Sequence, residues 1–189
     1  MSTNLHGKVV VVTGAGGGMG LATVKMLSER GAKVSMCDVQ EATLKKAAGD
    51  IEAKGGQVLY HVVDVRKRAQ VDDWINKTVD KFGKIDGAAN LAGVLPSGYN
   101  TMTVENQEDE DWDRTIAINL TGMMYCMRAQ LQNMNDYGSI VNASSIAGLI
   151  GRPDNASYGA SKFGVIGLTK CAACEVGPTK NIRVNAIAP

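Results

Sequence analysis

Short apolar runs alternate with longer amphipathic stretches along the 189 residues of the chain, and this alternation constrains the fold more than any other feature. The apolar runs have the length and the β-branched or apolar composition of strands. They are residues 8–13, 33–38, 57–64, 85–90, 139–144 and 182–187. The intervening stretches have helical spacing, and several stop at a glycine, as helices often do. They are residues 21–30, 41–54, 71–82, 111–133 and 157–176.

Six strands that alternate with helices predict a parallel sheet. Each strand–helix–strand unit makes a right-handed crossover, so that helices cover both faces of the sheet. The strand segments are apolar throughout instead of alternating with polar residues, as burial on both faces requires. No linker or change of composition divides the chain. The sequence therefore predicts an α/β fold, a doubly wound parallel sheet, in a single domain of residues 1–189.

Composition and charge argue against several classes of protein. Apolar residues make up 44% and charged residues 21%, and 20 basic against 19 acidic residues give a net charge of +1. Without a basic stripe, nucleic acid is not expected as a partner. The first apolar run, residues 9–12, is too short for a signal peptide or a membrane span, so no membrane association is expected. The four cysteines lack the spacing of a disulfide framework, which indicates a reducing, cytoplasmic compartment.

A glycine-rich segment, TGAGGGMG at residues 13–20, joins the first strand to the first helix. Glycine lets the backbone turn sharply and approach a pyrophosphate closely, and the helix N-terminus behind it offers unpaired N–H groups and a positive dipole end. Such a segment can also be a simple turn, but its place after the first strand of a βαβ series favours nucleotide binding. The predicted cofactor contacts within it are Thr13, Gly14, Gly16, Gly18, Met19 and Gly20.

Acidic residues end the second and third strands. The carboxylate of Asp38 can accept both ribose hydroxyls of an adenosine, whereas a 2′-phosphate there would meet a like charge with no arginine paired to it. This favours NAD over NADP as the cofactor, although Asp38 can also be an ordinary solvated residue at a strand end. Val39 follows it, and Asp64 and Val65 at the end of the third strand are expected to flank the adenine ring.

Tyr158 and Lys162 are four residues apart on a predicted helix and therefore share one face. A phenol with its ordinary pKa of about 10 is a poor base at neutral pH. A neighbouring ammonium and an oxidised nicotinamide both favour the phenolate, and bringing a phenol to a pKa of about 7 or 8 needs roughly 3–4 kcal/mol. A serine at the end of the adjacent strand could then hold the substrate oxygen. Taken alone, the same pattern also fits a surface helix with an extended lysine.

These motifs together resemble those of the classical short-chain dehydrogenase/reductase family, and the resemblance extends from Thr13 to Pro189. It implies a Rossmann-type fold. The family's Thr-Gly-x-x-x-Gly-x-Gly motif falls on residues 13–20, and its Tyr-x-x-x-Lys pair falls on residues 158–162. Because these motifs occur in the family's order and at its spacing, chance agreement is a poor explanation.

The resemblance implies a role for each residue of a catalytic tetrad. Tyr158 is then the general acid or base, and Lys162 favours its ionised form and holds the nicotinamide ribose, so that both also contact the cofactor. The family's serine lies thirteen residues before the tyrosine, which selects Ser145 and not Ser144. Ser145 and Tyr158 would contact the substrate. Asn119 matches the helix asparagine that completes the tetrad and holds a proton-relay water.

The loop after the fourth strand departs slightly from the family. The family usually has Asn-Asn-Ala-Gly, whereas this chain has Asn90, Leu91, Ala92 and Gly93. Because Asn90, Ala92 and Gly93 are kept, the loop is expected to pass beside the adenosine ribose and to contribute these three residues to cofactor binding. The leucine is given little functional weight.

The final residues, RVNAIAP at 183–189, resemble the family's sixth strand, after which the motif normally continues Pro-Gly. Pro189 is therefore expected to contact the cofactor. The resemblance also implies a seventh strand and a substrate-covering lid, which the 189 residues lack. We expect a chain that was cut short and not a natural end, because the sixth strand would otherwise be a bare apolar edge.

The leading hypothesis is an NAD(H)-dependent oxidoreductase that transfers a hydride between the nicotinamide and a secondary alcohol or its ketone. Two alternatives stay open. One is a non-redox member of the family, an isomerase or a dehydratase, and the other is a truncated, catalytically silent nucleotide-binding or assembly subunit. Residues 94–103 and 147–156 are expected to shape the substrate pocket, with Tyr99, Leu149 and Asn155 as candidate wall residues.

The resemblance also implies a homodimer or homotetramer, with an interface that suits Ala172, Ala173 and the methionines of residues 123–127. Cys171 and Cys174 have CxxC spacing, but neither a helix N-terminus nor a second ligand pair accompanies them. We expect these cysteines to be small buried residues at a helix contact, and no metal site is predicted.

Overall fold

Six strands form one sheet in the computed structural model, which describes residues 4–189. The first three residues of the predicted domain lie outside the described part. The strands are β1 (Val9–Thr13), β2 (Lys33–Asp38), β3 (Gln57–Val62), β4 (Ile85–Asn90), β5 (Met134–Ala143) and β6 (Arg183–Ile187). Their order across the sheet is β3-β2-β1-β4-β5-β6, and each neighbouring pair is parallel. This confirms the predicted α/β fold, and the strand order reverses between β1 and β4.

Helices connect the strands and cover the faces of the sheet. They are α1 (Gly18–Glu29), α2 (Glu41–Glu52), α3 (Arg68–Phe82), α4 (Asp109–Ile116), α5 (Met123–Gln132) and α6 (Ala156–Lys180). Two short 3-10 turns, Val104–Asn106 and Ile146–Gly148, lie in the connections on either side of α4 and α5. Within residues 4–189, no helix combines the length and the apolarity that crossing a membrane requires.

The first strand shows why the sheet is buried on both sides. All five residues of β1 are buried. Val10 and Val12 belong to a core that includes residues of α1 and α2, whereas Val11 belongs to a second core with residues of α3, α5 and α6. Burying a valine side chain contributes roughly 1.5–3 kcal/mol. The central strand therefore stabilises both layers at once.

The face that α1 and α2 cover is more open over the other half of the sheet. The register pairs Val12 with Ala89, Ala89 with Val141, and Val141 with Asn185. Val12 is buried, Val141 is half-buried and Asn185 is exposed. Ile187, which shares this face of β6, is 42% exposed. Burial on this face therefore decreases from the centre of the sheet towards β6.

The long helix predicted for residues 111–133 is interrupted. Helix α4 ends at Ile116, residues Ala117–Gly122 form a π-helical segment, and α5 begins at Met123. The segment packs closely, since a Cβ atom at Gly122 would lie 2.7 Å from a methyl carbon of Val65. π-Helical segments are rare and frequently mark functional sites. This one contains Asn119.

Two expectations about the helices are wrong. Cys171 and Cys174 are exposed on α6 instead of buried at a helix contact, because this helix directs Ala172 and not its cysteines into the core. Met123 and Met127 pack inside the core of their own chain and do not face outwards. Neither methionine, nor the buried Ala172, is therefore free to form the predicted interface with another subunit. Met124 and Ala173 are half-buried, and the interface itself stays a prediction.

A buried polar network joins β4, β5, α5 and α6 inside the second core. Asn90 Nδ2 donates hydrogen bonds to Gln130 Oε1 and Asn142 Oδ1, both at 2.9 Å, and Gln130 Nε2 donates back to Asn90 Oδ1 at 2.7 Å. Asn142 Nδ2 donates to Thr169 Oγ1 at 3.0 Å. All four side chains are buried. Each has lost its water, so its hydrogen bonds within the protein decide whether burial is tolerated.

We expect Gln130→Leu to lower the free energy of unfolding by about 2–3 kcal/mol, because it removes both amide partners that Gln130 offers to the buried Asn90. Unfolding in urea, followed by circular dichroism, measures the change. Gln132→Leu, at an exposed position of the same helix, is the matched control and should change the value by less than about 0.5 kcal/mol. Equal losses in the two variants would contradict a stabilising role for the network.

Candidate active site

A cleft of about 560 Å³ opens at the carboxyl ends of β1, β2, β3 and β4, where the strand order reverses. Ten of the predicted cofactor residues line it: Gly14, Gly18, Met19, Gly20, Asp38, Val39, Asp64, Val65, Ala92 and Gly93. Nine further residues line the cleft that were not predicted as cofactor contacts: Gly17, Cys37, Gln40, Val63, Arg66, Leu91, Val94, Arg114 and Ile118. Several of these directly follow a strand. The rule that ligands bind at the carboxyl ends of parallel strands could have found them.

The glycine loop of residues 13–20 forms one wall of the cleft. Gly14 has a φ of +67°, and a Cβ atom there would lie 2.8 Å from the main-chain nitrogen of Ala92. A Cβ atom at Gly20 would overlap the Gly14 carbonyl. Gly17 and Gly18, in contrast, have open space where a Cβ atom would stand. The loop is therefore tight against the protein and open towards the cleft, as a cradle for a pyrophosphate requires.

Thr13 and Asn90 support the cleft from behind and do not line it. The hydroxyl of Thr13 accepts hydrogen bonds from the N–H groups of Leu91 at 3.0 Å and Ala92 at 3.1 Å. The amide of Asn90 is engaged in the buried network. Both side chains are 1% exposed. They hold the loop after β4 against the glycine loop, and neither side chain is open to the cofactor contact that the sequence predicts.

Asp38 ends β2 and holds the glycine loop in place. Its Oδ2 accepts a hydrogen bond from Gly16 N at 2.9 Å, and its Oδ1 accepts one from Gln40 N at 3.1 Å. A Cβ atom at Gly16 would lie 2.8 Å from the carboxyl carbon of Asp38, so this glycine shapes the loop without lining the cleft. The carboxylate is only half-buried and presents its negative charge to the cleft.

Asp64 and Arg66 form an ion pair at the same cleft. Arg66 Nη2 lies 2.7 Å from Asp64 Oδ2, and Arg66 Nε lies 2.9 Å from Asp64 Oδ1. The side-chain hydrogen bond from Arg66 lowers the pKa of Asp64. The sequence indicated no arginine that could pair with a cofactor phosphate, yet Arg66 lines the cleft. Its guanidinium is already engaged by Asp64.

Tyr158 and Lys162 lie on α6, with the ammonium of Lys162 5.5 Å from the centre of the Tyr158 ring. Lys162 is 5% exposed, and its Nζ donates a hydrogen bond to the carbonyl of Ala143 at 2.9 Å. Burial lowers the pKa of Lys162 to about 8. A Cβ atom at Gly93, which lines the cleft, would lie 3.5 Å from Lys162 Nζ. The lysine therefore adjoins the cleft behind the loop that follows β4.

The two serines that follow β5 have different partners. Ser144 is buried, and its Oγ donates a hydrogen bond to the carbonyl of Lys162 at 2.9 Å. Ser145 is half-buried, and its Oγ donates to the carbonyl of Pro189 at 3.3 Å and accepts from Ala147 N at 3.3 Å. Ser144 therefore fixes the end of β5 to α6, whereas Ser145 remains accessible. Pro189 lies beside Ser145 and does not line the cleft.

Asn119 is fully buried in the π-helical segment. Its Oδ1 accepts a hydrogen bond from Val94 N at 2.8 Å, and its Nδ2 donates to Val94 O at 2.9 Å and to Ser161 Oγ at 3.2 Å. The side chain is thus engaged with the loop after β4 and with α6. A relay water of the kind that the resemblance implies would have to bind the main chain of this residue.

Tyr99 contacts the predicted acid–base residue directly. Its ring stands edge-on to that of Tyr158, with the ring centres 5.7 Å apart and the planes at 82°. Leu149 is 58% exposed, and its place in the wall of a substrate pocket stays a prediction. Asn155 is 4% exposed, and its Nδ2 donates to Asn100 Oδ1 at 2.7 Å, so its amide is already engaged.

The residues of the cleft fit a dinucleotide. The glycine loop opens onto the N-terminus of α1, and a carboxylate ends the neighbouring strand, which is the arrangement that such cofactors use. Lys162, four residues after Tyr158 on α6, is hydrogen-bonded to Ala143 and Ser144. The tyrosine–lysine pair therefore lies close to Ser145, which follows Ser144 at the carboxyl end of β5. A phenol near an ammonium and a second hydroxyl can move a proton at a substrate oxygen.

A family model described as short chain dehydrogenase matches residues 8–189. This chain belongs to the short-chain dehydrogenase/reductase family. Members of the family are oxidoreductases that act on small molecules with NAD or NADP as the cofactor. The match includes the glycine loop, both serines, the tyrosine–lysine pair and the final strand.

Known short-chain dehydrogenase/reductases resemble the chain over nearly its whole length. The short-chain dehydrogenase/reductase aba4 of Botryotinia fuckeliana (strain B05.10) is 50% identical over 183 residues, which are 96% of this chain and 70% of that protein. A short-chain dehydrogenase/reductase from Serratia marcescens BCRC 10948 has a TM-score of 0.92 at 31% identity, covering 98% of this chain and 75% of that one. NAD⁺-bound xylitol dehydrogenase has a TM-score of 0.91 at 37% identity, and the match covers 99% of this chain and 71% of that one.

Burial of Lys162 gives a prediction about stability. Its pKa is about 8 in the folded chain against an ordinary value of 10.5. Below pH 8 the lysine is charged in both states, but between pH 8 and pH 10.5 the unfolded chain binds more protons, so the free energy of unfolding rises with pH. In Lys162→Met the side chain at this position cannot titrate. We expect the free energy of unfolding of the unaltered chain to rise by about 2–3 kcal/mol more over this pH range than that of the variant. Urea unfolding of both proteins across this range measures it, and a constant difference between them would contradict the prediction.

Proposed function

We propose that this short-chain dehydrogenase/reductase is an NAD(H)-dependent oxidoreductase that transfers a hydride between the nicotinamide and a secondary alcohol or its ketone. The observation that carries the proposal is the grouping of Tyr158, Lys162 and Ser145 beside a glycine-walled cleft lined by Asp38. A proton-moving group and a nucleotide site are the two requirements of hydride transfer at a carbon that bears oxygen.

The half-buried carboxylate of Asp38 supports NAD over NADP. A 2′-phosphate beside it would meet a like charge at short range. Arg66 lines the same cleft but is paired with Asp64, so it is less free to neutralise a phosphate. The proposed contacts with the cofactor are made by the ten predicted residues that line the cleft, together with Tyr158 and Lys162.

Tyr158 would exchange a proton with the substrate oxygen. When bound, the nicotinamide supplies or accepts the hydride at the neighbouring carbon. The ammonium of Lys162 lies 5.5 Å from the centre of the Tyr158 ring, so the two side chains share one site. Ser145 would donate its hydrogen bond to the substrate oxygen in place of the Pro189 carbonyl.

Asn119 would act through its main chain, because its side chain is engaged by Val94 and Ser161. A π-helical segment alters the regular hydrogen-bond ladder of a helix, and a water bound there could pass protons between Lys162 and solvent. A pKa of about 8 suits Lys162 to such a relay, since the lysine can then gain and lose a proton near neutral pH.

The proposal includes assembly and location. Phe163 is 47% exposed on α6, an apolar surface that a second copy of the chain would cover. We therefore expect a homodimer or homotetramer. Cys171 and Cys174 are exposed and not linked in a disulfide, which is compatible with the reducing cytoplasm.

We expect NADH to bind at least about tenfold more tightly than NADPH, because of the charge on Asp38. Asp38→Asn removes the charge and keeps one of the two oxygens that accept the N–H groups of Gly16 and Gln40. It should therefore reduce the difference between the two affinities mainly by improving the affinity for NADPH. Fluorescence titration of both nucleotides measures this. Equal affinities of the unaltered chain for NADH and NADPH would contradict the NAD preference. If Asp38→Asn left the difference between the two affinities unchanged, the charge on Asp38 would not be its cause.

We expect Tyr158→Phe to lower kcat/KM for secondary alcohols by about 10²–10⁴-fold, because it removes the group that exchanges the proton. NADH affinity should stay within about twofold, since the ring is retained. The absorbance of NADH, followed with a panel of alcohols and ketones, measures turnover. Tyr137→Phe, at an exposed tyrosine of β5, is the control. Full activity of Tyr158→Phe would overturn the assigned role.

A further inference from the structure

The wall loop, residues 94–102, runs from the loop after β4 past Tyr158. At its start Asn119 holds both main-chain groups of Val94, with the Val94 N–H donating to Oδ1 at 2.8 Å and the Val94 carbonyl accepting from Nδ2 at 2.9 Å. Because Asn119 is fully buried, the start of the wall loop is fixed to the interior of the site.

Asp111 fixes the middle of the wall loop. It is 5% exposed, and both carboxylate oxygens accept the N–H of Ser97, at 2.9 Å and 3.0 Å. Arg114 Nη2 donates to Asp111 Oδ1 at 3.0 Å and to the carbonyl of Leu95 at 3.0 Å. Hydrogen bonds to a charged group are stronger than neutral ones, so this anchor restrains the loop firmly.

The end of the wall loop is fixed to the segment before α6. Asn100 N donates to Asp154 O at 3.1 Å, and Asn155 Nδ2 donates to Asn100 Oδ1 at 2.7 Å. Met102 and Asn155 also form a parallel bridge. With anchors at its start, middle and end, the wall loop is a preformed side of the site, and a ligand does not have to order it.

Tyr99 is the residue that the wall loop places against Tyr158. The edge-on arrangement of the two rings, with centres 5.7 Å apart, is a favourable geometry for an aromatic pair. A ring in this position covers one side of Tyr158. Substituents on the carbon that reacts beside the Tyr158 hydroxyl would therefore contact Tyr99.

The segments that carry Tyr99 and Ser145 expose apolar side chains. Leu95 is 51%, Ile146 44% and Leu149 58% exposed. Residues 94–99 and 144–151, which carry Tyr99 and Ser145, contain no charged side chain. The chain that follows the wall loop carries exposed acids: Glu105, Glu108, Asp109, Glu110 and Asp113. Two cations lie nearby, but Arg152 lines a separate cavity with Ala160 and Phe163, and the ammonium of Lys162 donates to the carbonyl of Ala143. An anionic substituent would therefore lose water here and gain little from either cation.

We propose that Tyr99 determines substrate specificity and that the site takes uncharged, apolar secondary alcohols and their ketones, with a ring or another bulky group beside the reacting carbon. Hydroxy acids and phosphate esters are poor substrates. This inference rests on the proposed oxidoreductase function and names its substrate class.

The test uses cyclohexanol, 2-propanol, and a pair that differs only in charge, 3-hydroxybutanoate and its methyl ester. We expect kcat/KM to be at least about tenfold higher for the ester than for the acid. Tyr99→Ala should raise KM for cyclohexanol about fivefold and leave 2-propanol within twofold, because only the larger alcohol contacts the ring. Tyr99→Phe should behave like the unaltered chain, and Tyr137→Ala is the control at a remote exposed tyrosine.

Binding is measured separately from turnover by saturation-transfer NMR of the same compounds with NADH, a mixture in which the alcohols do not react. Equal binding and turnover of acid and ester, or a Tyr99→Ala variant that does not change KM for cyclohexanol, would overturn the inference and leave the oxidoreductase function intact. The ester could bind more tightly than the acid, and Tyr99→Ala could weaken the binding of cyclohexanol, while no alcohol is turned over. That result would refute the oxidoreductase function and support Tyr99 as a ligand-selecting residue. A change in KM that follows a change in sedimentation coefficient would show that the loop faces a second copy, and would also overturn the inference.

Discussion

Burial of one ammonium group organises the candidate active site. Lys162 has lost its water and donates to the carbonyl of Ala143, while Ser144 donates to the main chain of the same lysine. These two contacts join the carboxyl end of β5 to the N-terminal part of α6. Tyr158 is four residues from Lys162, and Ser145 directly follows Ser144. The position of Tyr158 relative to Ser145 therefore depends on these two hydrogen bonds. Sliding one element past the other would leave a buried charge without its acceptor, a loss of at least about 1–3 kcal/mol.

The fold could be predicted wherever burial follows from composition. The bounds of β2 and β4 agree with the predicted strands, because in both segments runs of small or apolar residues end at a polar residue. Strand β5 begins at Met134, five residues before the predicted start. Tyr137 within it has a φ of +64°, a conformation that no strand pattern indicates. The π-helical segment also escaped prediction, since its residues have ordinary helical spacing and it depends on packing against Val65.

The site could be predicted in part. Helical spacing placed Tyr158 and Lys162 on one face, and strand order placed a serine near them at the end of a neighbouring strand. The choice of Ser145 over Ser144 needed the resemblance to the family. Partners that are distant in the sequence decide where the other predicted site residues point. Asn90 meets Gln130 forty residues away, and its side chain is thereby directed into the core and not into the cleft. A local sequence pattern cannot show such long-range pairings. The anchors of the wall loop are also hydrogen bonds between residues that are distant in the sequence.

The hydroxyl of Ser145 already has an acceptor, the carbonyl of Pro189 at 3.3 Å. On the proposed function, a ligand oxygen has to take over this hydrogen bond. A ketone oxygen that takes this place forms one hydrogen bond for the one that is broken, so the exchange contributes little net free energy to binding. An oxygen that is acquiring negative charge accepts a hydrogen bond roughly twice as strong. In the proposed reaction, Ser145 would therefore discriminate between the ground state and the transition state, and only such discrimination raises the rate of the chemical step.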